Sequence, residues 1–251
     1  MWHWARQQGL ERRIGSVPPS ARVVASVTVG GRAIPLKMRQ SRRARHLSLR
    51  IDPAEDAVEL VLPRGVALSE GLRFAEEKSG WILTRLALCP PAVPFAPGAV
   101  IPYRGSAHVV EHRPEARRGV WREEGRLCVS GELAFLSRRL SDWLKREALA
   151  LLSVRAHAKA ALVQRPLRRI AIRDTKSRWG SCAEGGAVHF SWRLVLAPDS
   201  VLDYVVAHEV AHLVHPHHGP RFWRLVEKLT PEVEASCAWL RRHGDRLLRY
   251  G

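Results

Sequence analysis

The stretch Val205-Val206-Ala207-His208-Glu209-Val210-Ala211-His212-Leu213-Val214 constrains this chain more than any other. Two histidines spaced i, i+4 lie one above the other on one face of a helix, so both imidazoles reach a single ion. Glu209 follows the first histidine directly and projects about 100° round the helix, towards a water beside the ion instead of the ion itself. Leu202, Tyr204, Val205, Val206, Ala207, Val210, Ala211, Leu213 and Val214 make the surroundings almost wholly apolar. Burying two imidazoles and a carboxylate there is costly unless something satisfies them, and a bound cation does so. H-E-x-x-H in this setting predicts a metal-binding helix.

Catalytic zinc sites take three protein ligands and keep a fourth position open, so one ligand remains to be found. His215-Pro216-His217-His218-Gly219-Pro220 comes next. Pro216 disfavours helical geometry at His215 and should end the helix there. By phase His215 falls on the ligand face, but a further turn along the axis, where its reach back is poor. His217 or His218 can fold back once the chain turns, and the freedom of Gly219 favours His218. A carboxylate on the following helix, Glu227, Glu232 or Glu234, is the weaker alternative.

His208-Glu209-x-x-His212, five residues, His218, and then Phe222-Trp223 resembles the YgjP-like family of zincin-type metal hydrolases. Upstream, Arg178-Trp179-Gly180-Ser181-Cys182 and Ser191-Trp192-Arg193-Leu194 are similar to that family's other two signatures in order and spacing. The resemblance runs from about residue 22 to about residue 250. It implies that His208, His212 and His218 bind one zinc ion and that Glu209 is catalytic. SprT-like proteases share the H-E-x-x-H-x5-H spacing, but the arginine-tryptophan stretch points to the YgjP-like group. This chain departs at Ser191, where the family commonly carries asparagine.

The 251 residues suffice for one large domain or two small ones. No run approaches the roughly 18 apolar residues of a membrane span. Residues 1–8 lack the continuous apolar core of a secretory signal. Cys89, Cys128, Cys182 and Cys237 are widely spaced with no C-x-x-C pair, which favours free thiols in a reducing cytoplasm. The net charge is +17, from 41 basic and 24 acidic residues. Such a balance suits anionic partners, nucleic acid or nucleotides among them. Arginine is nevertheless spread along the chain, with a true cluster only at Arg39, Arg42, Arg43 and Arg45, so compositional drift accounts for the charge equally well.

Residues 1–21 read as a flexible leader. From residue 22 the pattern turns to β: Val23–Val29, a Gly30-Gly31 turn, Ala33–Met38, His46–Ile51 and Ala57–Leu62 predict an antiparallel four-stranded sheet. Ser69–Leu88 predicts one helix capped by Ser69. The proline-rich stretch 89–98 is the candidate boundary, giving a β-rich subdomain over 22–95 and a zincin-like hydrolase domain over 96–251. Short strands are expected near Val100–Tyr103, His108–His112, Gly119–Trp121 and Arg126–Val129. On such a strand His108 and His112 stand more than about 10 Å apart and cannot share an ion. A long helix from Glu132 to about Val163 precedes strands at Arg168–Arg173 and Ala187–Leu194. Asp199 or Ser200 should cap the metal helix, and helices are expected over Pro220–Leu229 and Pro231–Leu248. The expected class is α+β.

An ion with three ligands would acidify a water and polarise the scissile group, with Glu209 taking the proton and passing it to the leaving group. Arg178 and Tyr204, the latter four residues before His208 on its face, are candidate substrate-binding residues. The Arg178 strand edge beside the helix could pair with an extended peptide, while Trp179 and Trp192 read as anchors between sheet and helix. A metallopeptidase acting on peptide or protein fits best. A metal-dependent nucleotide or phosphoester hydrolase is the second reading, and a nucleic-acid-associated protein with a structural zinc is the third.

Overall fold

A computed structural model of the protein describes residues 23–29, 31–52, 57–175 and 178–251. The leader expected over residues 1–21 lies outside them, as does Gly30 of the expected turn. Two compact units divide between Pro91 and Ala92. Strands dominate the first half and helices the second, an α+β arrangement. No helix among the described residues is long and apolar enough to cross a membrane.

In the first unit, β1 (Val23–Val29), β2 (Arg32–Ser41), β3 (Ser48–Asp52) and β4 (Ala57–Pro63) form one sheet in the order β1-β2-β4-β3. The expectation of an antiparallel sheet is corrected at one place, since β2 and β4 pair in parallel. β4 carries Ala57, Val58, Leu60, Val61 and Leu62, all buried, and so is apolar on both faces. Such a strand takes the centre of a sheet, which puts β3 at the edge and leaves β2 beside β4. Ile34, Leu36 and Met38 alternate towards the same core.

Two helices cover this sheet where one was expected: α1 (Leu68–Glu77) and α2 (Ser79–Ala87), parted at Lys78. Ser79 and Gly80 follow the break, and both are poor helix formers. Ser69 lies inside α1 and does not cap it; the cap position is Ala67, with no side-chain hydrogen bond. Gly71 sits directly on the sheet, where a Cβ would come within 2.8 Å of Leu62 Cδ2.

The second unit begins with β5 (Val100–Tyr103), β6 (Ser106–His112), β7 (Val120–Glu123) and β8 (Arg126–Val129), in the order β5-β6-β8-β7. His108 and His112 bond to the carbonyls of Ser106 and Gly131, as structural histidines do. After a short 3-10 turn, α3 (Leu136–Leu162) runs for 27 residues. It buries Leu136, Leu140, Leu144, Ala148, Leu152, Ala156 and Ala160, one stripe with a four-residue step.

A third sheet holds the segments that lie beside the helix carrying His208 and His212. β9 (Arg169–Arg173) pairs in parallel with β11 (Ala187–Ser191), and β10 (Gly180–Ala183) pairs antiparallel with β11 from the other side. β10 is therefore an edge strand. The strand expected to run to Leu194 stops at Ser191, whose side chain accepts from Arg193 N to open a 3-10 turn, Trp192–Leu196. Then come α4 (Asp199–Ala211), α5 (Pro220–Leu229) and α6 (Val233–Leu247).

Candidate metal centre

α4 is buried over Val201, Leu202 and the whole run from Tyr204 to Ala211. Beyond Asp199 and Asp203 near its start it has no polar side to offer water, so it packs against α3, α5, α6 and β10. Neither Asp199 nor Ser200 caps it: the cap position is Pro198, and Asp199 stands at the first helical position. There its carboxylate pairs with Arg104 and Arg155, which holds its pKa below the usual carboxylate value, the Arg104 hydrogen bond contributing most.

The helix ends earlier than the proline alone required. Ala211 is its last residue and His212 its C-cap. Pro216 has no N–H for the His212 carbonyl, and its ring would clash there, so the turn before it tightens. Leu213 N bonds to Val210 O and Val214 N to Ala211 O, a 3-10 pattern. The chain then reverses and α5 begins at Pro220, its N-cap Gly219 in extended backbone that any residue adopts. The reversal at the proline and the restart at Pro220 bring His218 back, and the freedom of glycine is not drawn upon.

His208, His212 and His218 converge, with potential ligand atoms all within 4.8 Å of one another. His208 Nε2 and His218 Nε2 are 3.1 Å apart. Two nitrogens on a tetrahedral zinc at about 2.0–2.1 Å would stand about 3.3 Å apart, so the cage has the right size for one ion. His212 Nδ1 donates to His215 O at 3.2 Å, which leaves Nε2 with its lone pair for a metal. His217 is exposed and outside the group, and His215, half-buried, is outside it too. Phe222, fully buried, stacks within 5.0 Å of all three imidazole centroids, and Trp223 lies 5.8 Å from those of His208 and His218.

Burial holds all three imidazoles neutral. The His208 pKa lies well below its ordinary value through burial, then through His212 and His218. His212 is brought down to about 4 by burial and then His218, and His218 is lowered by burial and then His217. Neutral imidazole is the form that binds metal.

Glu209 is also fully buried, and neither carboxylate oxygen has a hydrogen-bond partner among the described residues. Burial pushes its pKa up to about 8, against the opposing charge of Arg178. Its neighbour across the gap is Gly180, the first residue of β10. A Cβ there would lie 2.5 Å from Glu209 Cγ and 2.6 Å from Oε1. Cys182, two residues along, stays a thiol: burial and then Glu209 raise its pKa to about 12.

The two candidate substrate residues part company. Arg178 is exposed beside β10 and lines a cavity of about 330 Å³ with Arg173, Thr175, Gly180, Ser181, His189, Phe190 and Ser191. Tyr204 does share the face of His208, their rings 6.0 Å apart, but it is fully buried and its hydroxyl bonds to Cys237. Trp179 packs against Gly244 of α6, and Trp192 against Phe95, so both anchor elements together. Arg193 stacks on Trp192 and binds Asp174 and the carbonyls of Leu247 and Tyr250, which ties the end of the chain to the sheet.

Gly180, Arg173 and His189 were not singled out by sequence reasoning. Strand alternation carries a signal for His189 and Ser191, which fall on one face of β11, with Arg173 paired beside Ser191. Gly180 carries none, because only the docking of β10 against α4 puts Glu209 over it.

A buried helix with two imidazoles one turn apart, a third imidazole returned by the next loop and a carboxylate without partners together define a metal-dependent hydrolase. Residues 45–243 match the family described as YgjP-like, metallopeptidase domain, and the chain belongs to it. No curated protein and no solved structure matches the chain.

Proposed function

We propose that the protein is a zincin-like metallopeptidase in which His208, His212 and His218 hold one zinc ion and Glu209 is the general base. The observation that carries this reading is Glu209: a fully buried carboxylate with two unpartnered oxygens, beside three neutral imidazoles of the right separation. Such a group is costly in a protein interior unless a cation and a water complete its surroundings. The residues present thus fit the ion.

When bound, the ion supplies Lewis acidity, which acidifies a water and polarises a carbonyl. Glu209 takes the proton of the attacking water and delivers it to the leaving amine. Its raised pKa makes it a base strong enough for that task, and a cation nearby would draw the value back towards neutrality. Gly180 leaves the carboxylate room to lie along β10. The edge of β10 aligns an extended peptide by main-chain hydrogen bonds, as an added strand. Phe222 and Trp223 keep bulk water from the imidazoles. Arg178 faces the substrate, while Tyr204 supports His208 from the buried side.

Family membership favours peptide over phosphoester bonds. A purely structural zinc is disfavoured by the ligand group, three histidines with no fourth side chain among the described residues. The test is turnover by the zinc-loaded protein on unfolded proteins and, in parallel, on nucleoside triphosphates, with Glu209→Gln as control. Cleavage of peptide bonds alone supports the proposal; cleavage of phosphate bonds alone refutes it.

A further inference from the structure

The cavity next to Gly180 has a composition that hydrolysis of a peptide bond does not itself require. It is lined by Arg173, Arg178 and His189 together with the hydroxyl side chains of Thr175, Ser181 and Ser191, and no carboxylate is among its lining residues. About 330 Å³ is enough for a side chain or a chain terminus, though small for a ligand site. The sheet explains the clustering. His189 pairs with Ser181 on β10, and Ser191 two residues on pairs with Arg173 on β9, so these side chains leave one face together. Ile170, Ile172, Val188 and Phe190 occupy the alternate positions, with Val188 and Phe190 in the core.

The cavity concentrates positive charge, since Arg173 and Arg178 line it and no acidic side chain is among its described lining residues. The acidic neighbour Asp174 is turned to Arg193. His189 has its pKa lowered by burial and then by Arg173, Arg169 and Arg178, so it stays neutral and can act as a hydrogen-bond donor between fixed cations. One wall of the cavity, Gly180, is also the residue under the Glu209 carboxylate. Gly180 pairs with Phe190 and turns to the face of Glu209, while Ser181, His189 and Ser191 turn to the other, so a ligand in the cavity is separated from Glu209 by the width of one edge strand.

We infer that this cavity is an anion subsite that receives a carboxylate of the substrate peptide, so that the enzyme prefers cleavage next to an acidic group. The inference rests on the peptidase reading. Arginine suits the task because its planar fork binds both carboxylate oxygens at once. The carboxylate comes either from an Asp or Glu side chain or from the peptide's own C-terminus, and the two are separable by synthesis.

The experiment measures binding without turnover, on the zinc-loaded full chain carrying Glu209→Gln. Four fluorescent peptides of one core sequence are compared: a neutral C-terminal amide, the same with an internal Glu, the same with a free C-terminal carboxylate, and the same with an internal Lys. At least one acidic peptide should bind about tenfold tighter than the neutral amide. Adding Arg173→Gln should remove most of that preference and leave zinc content and neutral-peptide affinity unchanged. Arg146→Gln, the same loss of charge on the exposed face of α3, should preserve it. Equal binding of all four peptides overturns the inference, and so does a preference that survives Arg173→Gln or falls equally with Arg146→Gln, since bulk charge would then be the cause. Wild-type cleavage of the same peptides separates the two readings: selective binding without any cleavage upholds the subsite and counts against the peptidase.

Discussion

Gly180 and Glu209 share one space: a Cβ on Gly180 would stand 2.5 Å from Glu209 Cγ and 2.7 Å from Cδ. The carboxylate lies over the backbone of an edge strand, between the imidazoles on one side and the basic cavity on the other. Its position is set by a residue that has no side chain.

Gly180→Ala should therefore act on catalysis through geometry. The added methyl group meets a carboxylate that is itself fully buried and has no free direction to move. Displacement of a positioned base by about 1 Å costs on the order of 10²-fold in rate. The expected outcome is loss of most hydrolysis with zinc stoichiometry unchanged, read by metal analysis and turnover on one preparation. Full activity in this variant would show that Glu209 has room to spare.

The proposed third ligand, His218, is separable from its neighbours. His218→Ala removes one of the three convergent imidazoles and should lower zinc content sharply after dialysis against a weak chelator. His217→Ala, at an exposed position outside the group, should retain it. Equal retention by the two variants would contradict the assignment.

Much of this site is legible in the sequence. Spacing alone puts His208 and His212 on one helical face, and the apolar surroundings of Glu209 announce its burial. Pro216 announces the reversal that returns His218. What the sequence hides depends on contacts between distant segments. Gly180-Ser181-Cys182-Ala183 has little strand propensity, and it becomes β10 because β11 offers it an edge. β4 reads as one hairpin partner among several, yet its two apolar faces send it to the middle of the sheet and make its pairing with β2 parallel. The break at Lys78 is a local matter of Ser79 and Gly80, masked by an apolar stripe that continues through it.

Acid sensitivity is predicted at the start of α4. Asp199 binds Arg104 and Arg155, and its folded pKa is depressed below 3.8. A depressed acid contributes stability that is present above its unfolded pKa and lost as pH falls through the folded value. The metal-free protein should then melt a few degrees above its Asp199→Asn variant at neutral pH, about 2–4 °C for each kcal/mol. That gap should close below about pH 4. Because the carboxylate is 42% exposed, salt should shrink the gap as well. A gap that is constant from pH 7 to pH 3 would mean that the pairing contributes nothing through charge.

Glu209→Gln tests the central claim most directly. Glutamine keeps the size of the side chain over Gly180 and removes its capacity to accept a proton, which for a general base is worth typically about 10²–10⁴-fold. Zinc stoichiometry, thermal unfolding and peptide turnover are measured together on wild type and variant. The account predicts the same zinc content, a melting temperature no lower than that of wild type, and loss of nearly all turnover. Undiminished turnover, or loss of zinc in step with loss of activity, would contradict the assignment of Glu209 as the base.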